Sequence, residues 1–393
     1  MSKSTINVGV IGCGNISIVY LTNLTQHYQN VNVVACADLL SEKASQAAQT
    51  YGVPKNCTVE ELLADPEVEL IVNLTLPAVH CQVNRQALEA GKHVYCEKPL
   101  ALSLEDADGL VKLAESRGLL LASAPDTILG AGLMTCRNLL DSGAVGKVTT
   151  FTANVVNHGS ELWHPSPKFL YQKGAGPVLD VGPYYVSALV SLLGPIKQIF
   201  CTARTPEPIR NIHGEAFPVE VSTTYSSVVE FCNGAVGNIN ASFDAWRSQL
   251  PCIEIHGTKA SLYAPDPNMF KGPVGFYDGK ALEARITGCN GTFTDKLNLL
   301  YGPESDKFLR EEPLHYPTDL SEQANMRGMG VSDMADALLR GRQPRLTASF
   351  ARHIVEALCA FQISSDRNEP YVMTTTCDRP NPMTTGLPLW TVG

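Results

Sequence analysis

The sequence has no block of basic residues, no long hydrophobic run and no pair of closely spaced cysteines. With a formal net charge of −9 and no basic block, the chain lacks the electrostatic footprint of a protein that binds nucleic acid or an anionic membrane. No apolar run reaches the roughly 20 residues of a membrane-spanning helix, and the N-terminus lacks the apolar core of a signal peptide. We therefore expect no nucleic-acid partner and no membrane partner.

The 12 cysteines are scattered along the chain, and none forms a Cys-x-x-Cys pair. Several lie inside apolar, strand-like runs, where cysteine behaves as a small hydrophobic residue. This distribution predicts neither a disulfide framework nor a zinc site, and it favours the reducing cytoplasm as the location of the protein.

The pattern of apolar residues predicts two domains with different architectures. Hydrophobic residues make up 44% of the 393 residues, enough for a large core. Strands and helices alternate over residues 1–124, which predicts an α/β domain with a doubly wound parallel sheet. Consecutive β-rich segments over residues 125–393 predict an α+β domain with an open, mostly antiparallel sheet. Residues 264–325 are rich in Gly, Pro, Asn and Asp, and we expect them to be loops.

A glycine-rich turn, Gly12-Cys13-Gly14-Asn15-Ile16-Ser17, stands between the first predicted strand and the first predicted helix. Gly12 permits a tight turn, and Gly14 lets the backbone approach a pyrophosphate. The helix opens at Asn15 and Ile16, where free N–H groups and the helix dipole favour an anion. Because a second strand follows the helix, the segment predicts a dinucleotide-binding site.

Polar residues at the next two strand ends extend this prediction. Asp38 lies where an acidic residue binds the adenosine ribose, and its charge would repel a 2′-phosphate, so NAD is favoured over NADP. The alternative role of Asp38 is to cap the helix near Ser41, and the two roles can coexist. Thr75 and Pro77 end the third strand, where the backbone is expected to pass the cofactor ribose. His80 is placed to face the same crevice, although alone it is more often a helix-start residue.

The tripeptide Glu97-Lys98-Pro99 follows a short apolar strand. Parallel sheets place their chemistry at strand ends, and the proline fixes the backbone just after Lys98, so the amine is aimed at that edge. Glu97 is expected to brace the backbone on the cofactor side. The alternative interpretation is a surface Lys-Pro turn.

A second candidate segment contains Asp180 and Tyr184. They share a face if one helix runs through both, whereas Pro183 favours a helix that starts near it and leaves Asp180 just before the first turn. A tyrosine beside the ammonium group of Lys98 can remove a hydroxyl proton, because the positive charge lowers the pKa of the phenol. Asp180 would orient the lysine or hold a sugar hydroxyl. The alternative is a buried tyrosine at a helix that Asp180 caps.

Aromatic and histidine residues in two loops form a candidate sugar-binding wall. His158, Trp163 and His164 lie in a loop limited by proline, and Trp246 follows a predicted strand. Aromatic faces stack on the C–H surfaces of sugars, and histidine bonds hydroxyl groups. Ordinary loop packing is the alternative for each residue. No ligand spacing supports a metal site.

Through the Gly12-x-Gly14 turn, the Glu97-Lys98-Pro99 tripeptide and the segment from Gly176 to Tyr184, the chain resembles the Gfo/Idh/MocA oxidoreductases over residues 6–365. The resemblance implies an N-terminal Rossmann domain, a C-terminal α/β domain with an open sheet, NAD or NADP, and a catalytic Lys98 that often precedes a cis proline bond. It also implies sheet faces that pack into dimers or tetramers. The chain departs from the many members that carry a histidine where Tyr184 stands.

Together these features predict an NAD-dependent oxidoreductase that transfers a hydride between a secondary alcohol of a sugar or glycoside and nicotinamide. Tyr184 and Lys98 would form the proton-transfer pair. One alternative is a glycoside-cleaving enzyme that retains NAD, oxidises C3 transiently and then eliminates the aglycone. The other is a non-enzymatic regulator that binds NAD and a protein partner.

Overall fold

The first sheet has six parallel strands: β1 Ile6–Ile11, β2 Val31–Ala37, β3 Lys55–Cys57, β4 Leu70–Asn73, β5 His93–Cys96 and β6 Leu121–Ser123. Five helices connect them: α1 Asn15–Gln26, α2 Ser41–Tyr51, α3 Val59–Ala64, α4 His80–Glu89 and α5 Leu104–Arg117. The computed structural model describes residues 3–162, 164, 167–212, 214–319, 321 and 325–393. The strand order is β3-β2-β1-β4-β5-β6, so the direction of winding reverses between β1 and β4. In such sheets a crevice opens there, at the carboxyl ends of the strands.

The rest of the chain forms a nine-stranded sheet and a separate hairpin. The strands are β7 Val148–Val156, β8 Ile196–Arg204, β9 Ile209–Ile212, β10 Glu215–Pro218, β11 Thr224–Phe231, β12 Val236–Ser242, β13 Ile253–Gly257, β14 Ser261–Ala264, β15 Val274–Tyr277, β16 Leu309–Glu312 and β17 Tyr371–Val372. The helices are α6 Ala131–Asp141, α7 Gly176–Asp180, α8 Gly182–Leu193, α9 Gly279–Thr287, α10 Phe293–Tyr301, α11 Met329–Arg340 and α12 Ala348–Arg367. The sheet order is β16-β15-β14-β13-β7-β12-β11-β8-β17, and β9 pairs with β10. Strands β7 and β12 are parallel, and the other neighbours are antiparallel.

One face of the large sheet is covered and the other is open. Along β8, Ile199, Cys201 and Ala203 are buried, whereas Phe200 and Thr202 are exposed. This alternation is typical of an antiparallel sheet with one solvated face. Helix α12 packs against β8 and also against α5 and α8. The covered face therefore joins the core that links the two sheets.

The last part of the chain returns to the first sheet. Helix α11 packs against β1, β2, β5 and β6. Asp126, just beyond β6, accepts hydrogen bonds of 2.9 and 3.1 Å from the backbone N–H groups of Gly328 and Gly330. The segment before α11 is thus fixed against the first sheet, close to the crevice.

The predicted architecture is confirmed, but the loop prediction for residues 264–325 is wrong. That region contains β15, α9, α10 and β16. The Asp278 side chain caps α9, and Thr292 with Asp295 forms a capping box at α10. Asp and Thr begin helices here as N-caps, so composition alone was misleading. The boundary near residue 124 remains a prediction. Among the described residues, no helix combines the length and the apolar character needed to cross a membrane.

Candidate active site

The glycine turn leaves the N-terminus of α1 open. Gly12 has φ +99°, and a Cβ atom there would lie 2.7 Å from the carbonyl carbon of Leu74, so only glycine fits. A Cβ atom on Gly14 would meet no protein atom within 4 Å, which leaves space for a ligand to approach the backbone. The first turn of α1 carries no acidic residue. This end of the helix suits the pyrophosphate of a dinucleotide.

Asp38 ties the end of β2 to the glycine turn. Its carboxylate accepts hydrogen bonds from the backbone N–H of Cys13, at 2.8 Å, and of Leu40, at 2.9 Å. The N-cap of α2 is Leu40, which has no side-chain cap, so the alternative helix-capping role of Asp38 is not found. The half-buried carboxylate lies beside the turn, where a ribose hydroxyl would be bound.

The prediction that His80 faces the crevice is wrong, because its ring is completely buried. Nδ1 lies 2.7 Å from the carbonyl oxygen of Pro99, and Nε2 lies 2.9 Å from that of Thr75. Burial lowers the pKa of His80, although the two carbonyl contacts act in the opposite direction. The ring therefore links the end of β4, where Thr75 is half-buried and Pro77 opens a short 3-10 turn, to the Lys98-Pro99 turn.

Glu97 is buried and braces the backbone as predicted. It accepts hydrogen bonds from the Tyr20 hydroxyl of α1, at 2.8 Å, and from the backbone N–H of Lys98, at 2.9 Å. The peptide bond between Lys98 and Pro99 is cis. With both carboxylate oxygens engaged, Glu97 couples the cofactor helix to the lysine turn.

The Lys98 amine lies between Asp180 and Tyr184. Nζ donates to the Asp180 carbonyl oxygen, at 2.6 Å, and to Oδ1, at 3.1 Å, and it lies 5.0 Å from the centroid of the Tyr184 ring. Burial alone would lower the pKa of Lys98, but its electrostatic interactions with Tyr184, Asp180 and Glu97 raise it above its ordinary value. The amine is therefore charged at neutral pH, and Asp180 orients it.

A break between α7 and α8 creates this arrangement. Helix α7 ends at Asp180, and α8 begins at Gly182 with Pro183 in its first turn. The alternative in which one helix runs through Asp180 and Tyr184 is therefore wrong, and the alternative with Asp180 just before the second helix is confirmed. The break lets the Asp180 carbonyl oxygen accept a hydrogen bond from Lys98.

Arg327 is a site residue that the sequence analysis missed. Its Nη2 atom donates to the Tyr184 hydroxyl oxygen, at 3.2 Å, and to Asn268 Oδ1, at 2.6 Å. Nη1 donates to Asn325 Oδ1 at 2.9 Å. Arg327 lies just before α11, far from Tyr184 in sequence, and no spacing rule connects the two. The predicted pair of Lys98 and Tyr184 thus left out Arg327, which contacts the phenol oxygen.

The candidate sugar-binding wall is only partly assembled. The His158 and Trp246 rings stack with centroids 3.5 Å apart, and Trp246 remains 75% exposed. His164 instead packs edge-on against Phe169, with centroids 5.4 Å apart. Trp163 lies outside the described residues. Within those residues, no group of three or more His, Cys, Asp or Glu side chains is arranged to hold a metal ion.

Arg210 joins the two loops of this wall, and Val181 lies next to them. Arg210 donates to Glu161, at 2.6 Å, and to Asp244, which ties the loop after His158 to the segment before Trp246. Val181, between Asp180 and Tyr184, packs against a cluster formed by Leu170, Tyr171, Phe217 and Phe243. The wall therefore adjoins the turn that carries Asp180.

Both parts of the chain match sequence models of known protein domains. Residues 6–124 match an oxidoreductase family with an NAD-binding Rossmann fold. Residues 133–263 match the GFO/IDH/MocA C-terminal domain.

Several similar proteins are oxidoreductases by name. The mouse (Mus musculus) trans-1,2-dihydrobenzene-1,2-diol dehydrogenase is 28% identical over 303 residues, which are 75% of this chain and 84% of the relative. Levoglucosan dehydrogenase from Pseudarthrobacter phenanthrenivorans is 24% identical over 58% of this chain and 63% of its own length. An uncharacterised oxidoreductase from Schizosaccharomyces pombe is 32% identical over 48% of this chain. The chain spans only 52% of the length of that protein.

A solved structure shares the whole architecture. Levoglucosan dehydrogenase in complex with NADH and levoglucosan superposes with a TM-score of 0.77 at 18% identity. The superposition covers 94% of this chain and 100% of that chain. At this identity the likeness establishes the common fold.

Proposed function

Because the chain belongs to the Gfo/Idh/MocA family of oxidoreductases, we propose that it is an NAD-dependent dehydrogenase or reductase acting on a secondary alcohol of a sugar or glycoside. The cluster of Lys98, Asp180 and Tyr184 is the observation that carries this proposal. Lys98 follows β5, two strands from β1, so the cluster lies at the carboxyl edge of the sheet beside the reversal of strand order.

The N-terminal residues fit a dinucleotide. The Gly12–Gly14 turn and the first N–H groups of α1, at Asn15 and Ile16, would hold the pyrophosphate, and Asp38 would hold the adenosine ribose. When bound, NAD supplies the acceptor or donor of the hydride. The carboxylate of Asp38 favours NAD over NADP, since it would repel a 2′-phosphate.

Tyr184 is proposed as the group that exchanges a proton with the substrate hydroxyl. Its side chain is buried to 8% exposure, and the charged Lys98 amine lies against its ring. A fixed positive charge stabilises the phenolate form that accepts the proton during alcohol oxidation. Asp180 holds the amine in place through two hydrogen bonds. Reduction of a keto-sugar would use the same groups in reverse.

A sugar-like substrate is supported by the wall and by the relatives. The exposed face of Trp246 is available to stack on the C–H surface of a ring. The named relatives include levoglucosan dehydrogenase, 1,5-anhydro-D-fructose reductase and a dihydrobenzenediol dehydrogenase, whose names specify hydroxyl or keto groups on small rings. A secondary ring alcohol is the chemistry that these names share.

The test is NADH formation from NAD with a panel of sugars, glycosides and anhydrosugars. We expect activity with at least one ring alcohol, and a loss of about 100-fold or more in kcat for Lys98→Met and Tyr184→Phe, with NAD affinity retained. No NADH from any alcohol, while NAD still binds, would contradict the proposal. Glycoside cleavage without net NADH would indicate the NAD-retaining glycosidase. No turnover of any substrate, together with NAD and sugar binding that Lys98→Met leaves unchanged, would indicate a regulator.

The open face of the large sheet is proposed as the contact between copies of the chain in a dimer or tetramer. Phe200 and Val228 are directly paired across β8 and β11 and are 40% and 47% exposed. Val236 on β12 is 42% exposed. An exposed apolar patch of this kind is typical of an interaction surface. The twelve free cysteines support a cytoplasmic location, which is likewise proposed.

A further inference from the structure

We propose that Arg327 is a positioning residue that holds the Tyr184 oxygen as a hydrogen-bond acceptor, directs the phenol proton towards the substrate and stabilises the phenolate. This inference rests on the proposed function and assigns a further residue to the same proton-transfer site. It concerns the cation that contacts the phenol oxygen, whereas Lys98 contacts the ring and Asp180.

The chemistry of arginine gives this contact a direction. A guanidinium group has five N–H donors and no acceptor. In the Arg327–Tyr184 hydrogen bond the phenol oxygen must therefore accept, and the phenol proton must point elsewhere. In alcohol oxidation the substrate hydroxyl proton would move to the Tyr184 phenolate, and NAD, when bound, would supply the acceptor for the hydride. In the reverse reaction the correctly directed phenol returns that proton to the new alkoxide.

The charge of Arg327 is not neutralised by a direct carboxylate partner within the described residues. Four arginines are buried, and three of them pair with carboxylates: Arg137 with Asp141, Arg210 with Glu161 and Asp244, and Arg345 with Asp333. Arg327 instead donates to two amide oxygens and the Tyr184 hydroxyl. A buried charge bonded only to neutral oxygens acts strongly on a nearby ionisable group.

The segment that carries Arg327 is held by the first part of the chain. Asn23 of α1 donates to the carbonyl oxygens of Asn325, at 2.6 Å, and of Arg327, at 2.7 Å. The Tyr28 hydroxyl, just beyond α1, donates to Met326 O at 2.7 Å. Since α1 begins at the glycine turn, the helix proposed to bind NAD also positions the guanidinium. Fixed donors of this kind stabilise developing charge without reorganisation.

Lys98 and Arg327 contact Tyr184, and Asp180 pairs with Lys98. Two further carboxylates, Glu97 after β5 and Asp126 after β6, act electrostatically on the Arg327 guanidinium. Burial alone would lower the pKa of Arg327, but Tyr184, Glu97 and Asp126 raise it, so the guanidinium stays charged. Among these groups, Arg327 provides the hydrogen bond to the reacting oxygen.

The test is an ultraviolet titration of Tyr184 in the full-length protein. The absorbance of the parent and of each variant is measured against pH, and the same is done after Tyr184→Phe is added to each. The difference between the two curves removes the contribution of the other twelve of the 13 tyrosines. We expect Arg327→Gln to raise the titration midpoint of Tyr184 by at least about one pH unit, and Arg327→Lys to recover part of that shift. Arg340→Gln, at an exposed position on α11, is the matched control and should leave the midpoint unchanged.

An unchanged midpoint in folded Arg327→Gln would overturn the inference, as would equal shifts in the Gln and Lys variants. If Arg327→Gln does not fold, Asn268→Ala offers a milder disturbance, because it removes one acceptor that aims the guanidinium. A raised midpoint in that variant supports the inference, and an unchanged one contradicts it. The titration needs no substrate, so its outcome is separate from the dehydrogenase assay. If a substrate is found, the pH profile of kcat should move in the same direction.

Discussion

At the scale of single residues, the candidate site contains two positively charged side chains that make different contacts. Lys98 forms an ion pair with Asp180 and contacts the face of the Tyr184 ring, whereas Arg327 contacts the phenol oxygen. The lysine was predictable because it stands at a strand end before a proline. The arginine was not, because its relation to Tyr184 exists only in the folded chain.

Asp38 should determine the choice between the two nicotinamide dinucleotides. In Asp38→Asn an amide oxygen can keep the hydrogen bond to the Cys13 N–H, but the negative charge is lost. We expect NADP to bind to this variant at least about tenfold more tightly than to the parent, because the repulsion between Asp38 and the 2′-phosphate disappears. Calorimetric titration with NAD and NADP measures both affinities. Unchanged NADP affinity would show that Asp38 does not face the ribose.

Asp126 should make stability depend on pH. Its burial and the charge of Glu97 raise its pKa to about 6, against the opposing effects of Arg327 and the Gly328 and Gly330 N–H groups. The ordinary value of an unfolded aspartate is about 3.9, so between about pH 4 and 6 the folded protein binds more protons at this group than the unfolded chain. The contribution of Asp126 to stability is therefore greatest below pH 4 and is lost as the pH rises to 6.

Asp126→Asn is expected to abolish that contribution. Two pKa units correspond to about 3 kcal/mol. The free energy of unfolding of the parent, minus that of the variant, should thus fall by about 2 kcal/mol from pH 4 to pH 7, because the unfolded carboxyl is already about half ionised at pH 4. Urea unfolding at several pH values measures it. A difference that stays constant with pH would show that Asp126 ionises normally.

At the scale of secondary-structure elements, prediction worked where a single pattern governs the fold. The alternating strands and helices of residues 6–123 were recognisable because a parallel sheet requires helical crossovers, but the short polar strand β3 was missed. The helices α9 and α10 were missed, because they are short and their polar caps resemble loop residues. The prediction that His80 faces the crevice failed because the place of a residue in a helix does not reveal that two carbonyl groups contact its ring.

Glu356 fastens the C-terminal segment to α12. Its buried carboxylate accepts hydrogen bonds from the backbone N–H groups of Thr374, at 2.7 Å, and Thr375, at 2.8 Å, and from both of their hydroxyls at 2.5 Å. Glu356→Ala should lower the free energy of unfolding by about 2–4 kcal/mol, because these donors lose their acceptor. Hydrogen exchange should accelerate over residues 371–377. Protection equal to that of the parent would show that β17 is held by β8 alone.

At the scale of the whole molecule, the site is assembled from three separate parts of the chain. The first sheet supplies Lys98, the segment between β7 and β8 of the second sheet supplies Asp180 and Tyr184, and the return segment before α11 supplies Arg327. Helix α1 reaches the site from the glycine turn through the Tyr20–Glu97 and Asn23–Arg327 hydrogen bonds. Helix α1 would thus fix a bound cofactor and the proposed proton-transfer groups relative to one another.

The open sheet face should control oligomeric state. Replacing Phe200 and Val228 with glutamate places two charges on neighbouring strands of the exposed face, where they would be buried in a face-to-face dimer. We expect the parent to be a dimer or tetramer by light scattering and the double variant to be a monomer. Thr202→Glu, on the same face and already polar, is a milder control. A parent that is monomeric at high concentration would contradict the proposed contact.

Transfer of the hydrogen itself tests the central claim most directly. The ring alcohol identified in the substrate panel is deuterated at the oxidised carbon, incubated with the protein and NAD, and the recovered NADH is analysed by mass spectrometry. We expect one deuterium in NADH for each sugar oxidised, and about 100-fold less labelled NADH in the same time with Tyr184→Phe. Bound NAD that is recovered unreduced and unlabelled, with the sugar unchanged or its glycosidic bond cleaved, would contradict a dehydrogenase that releases NADH.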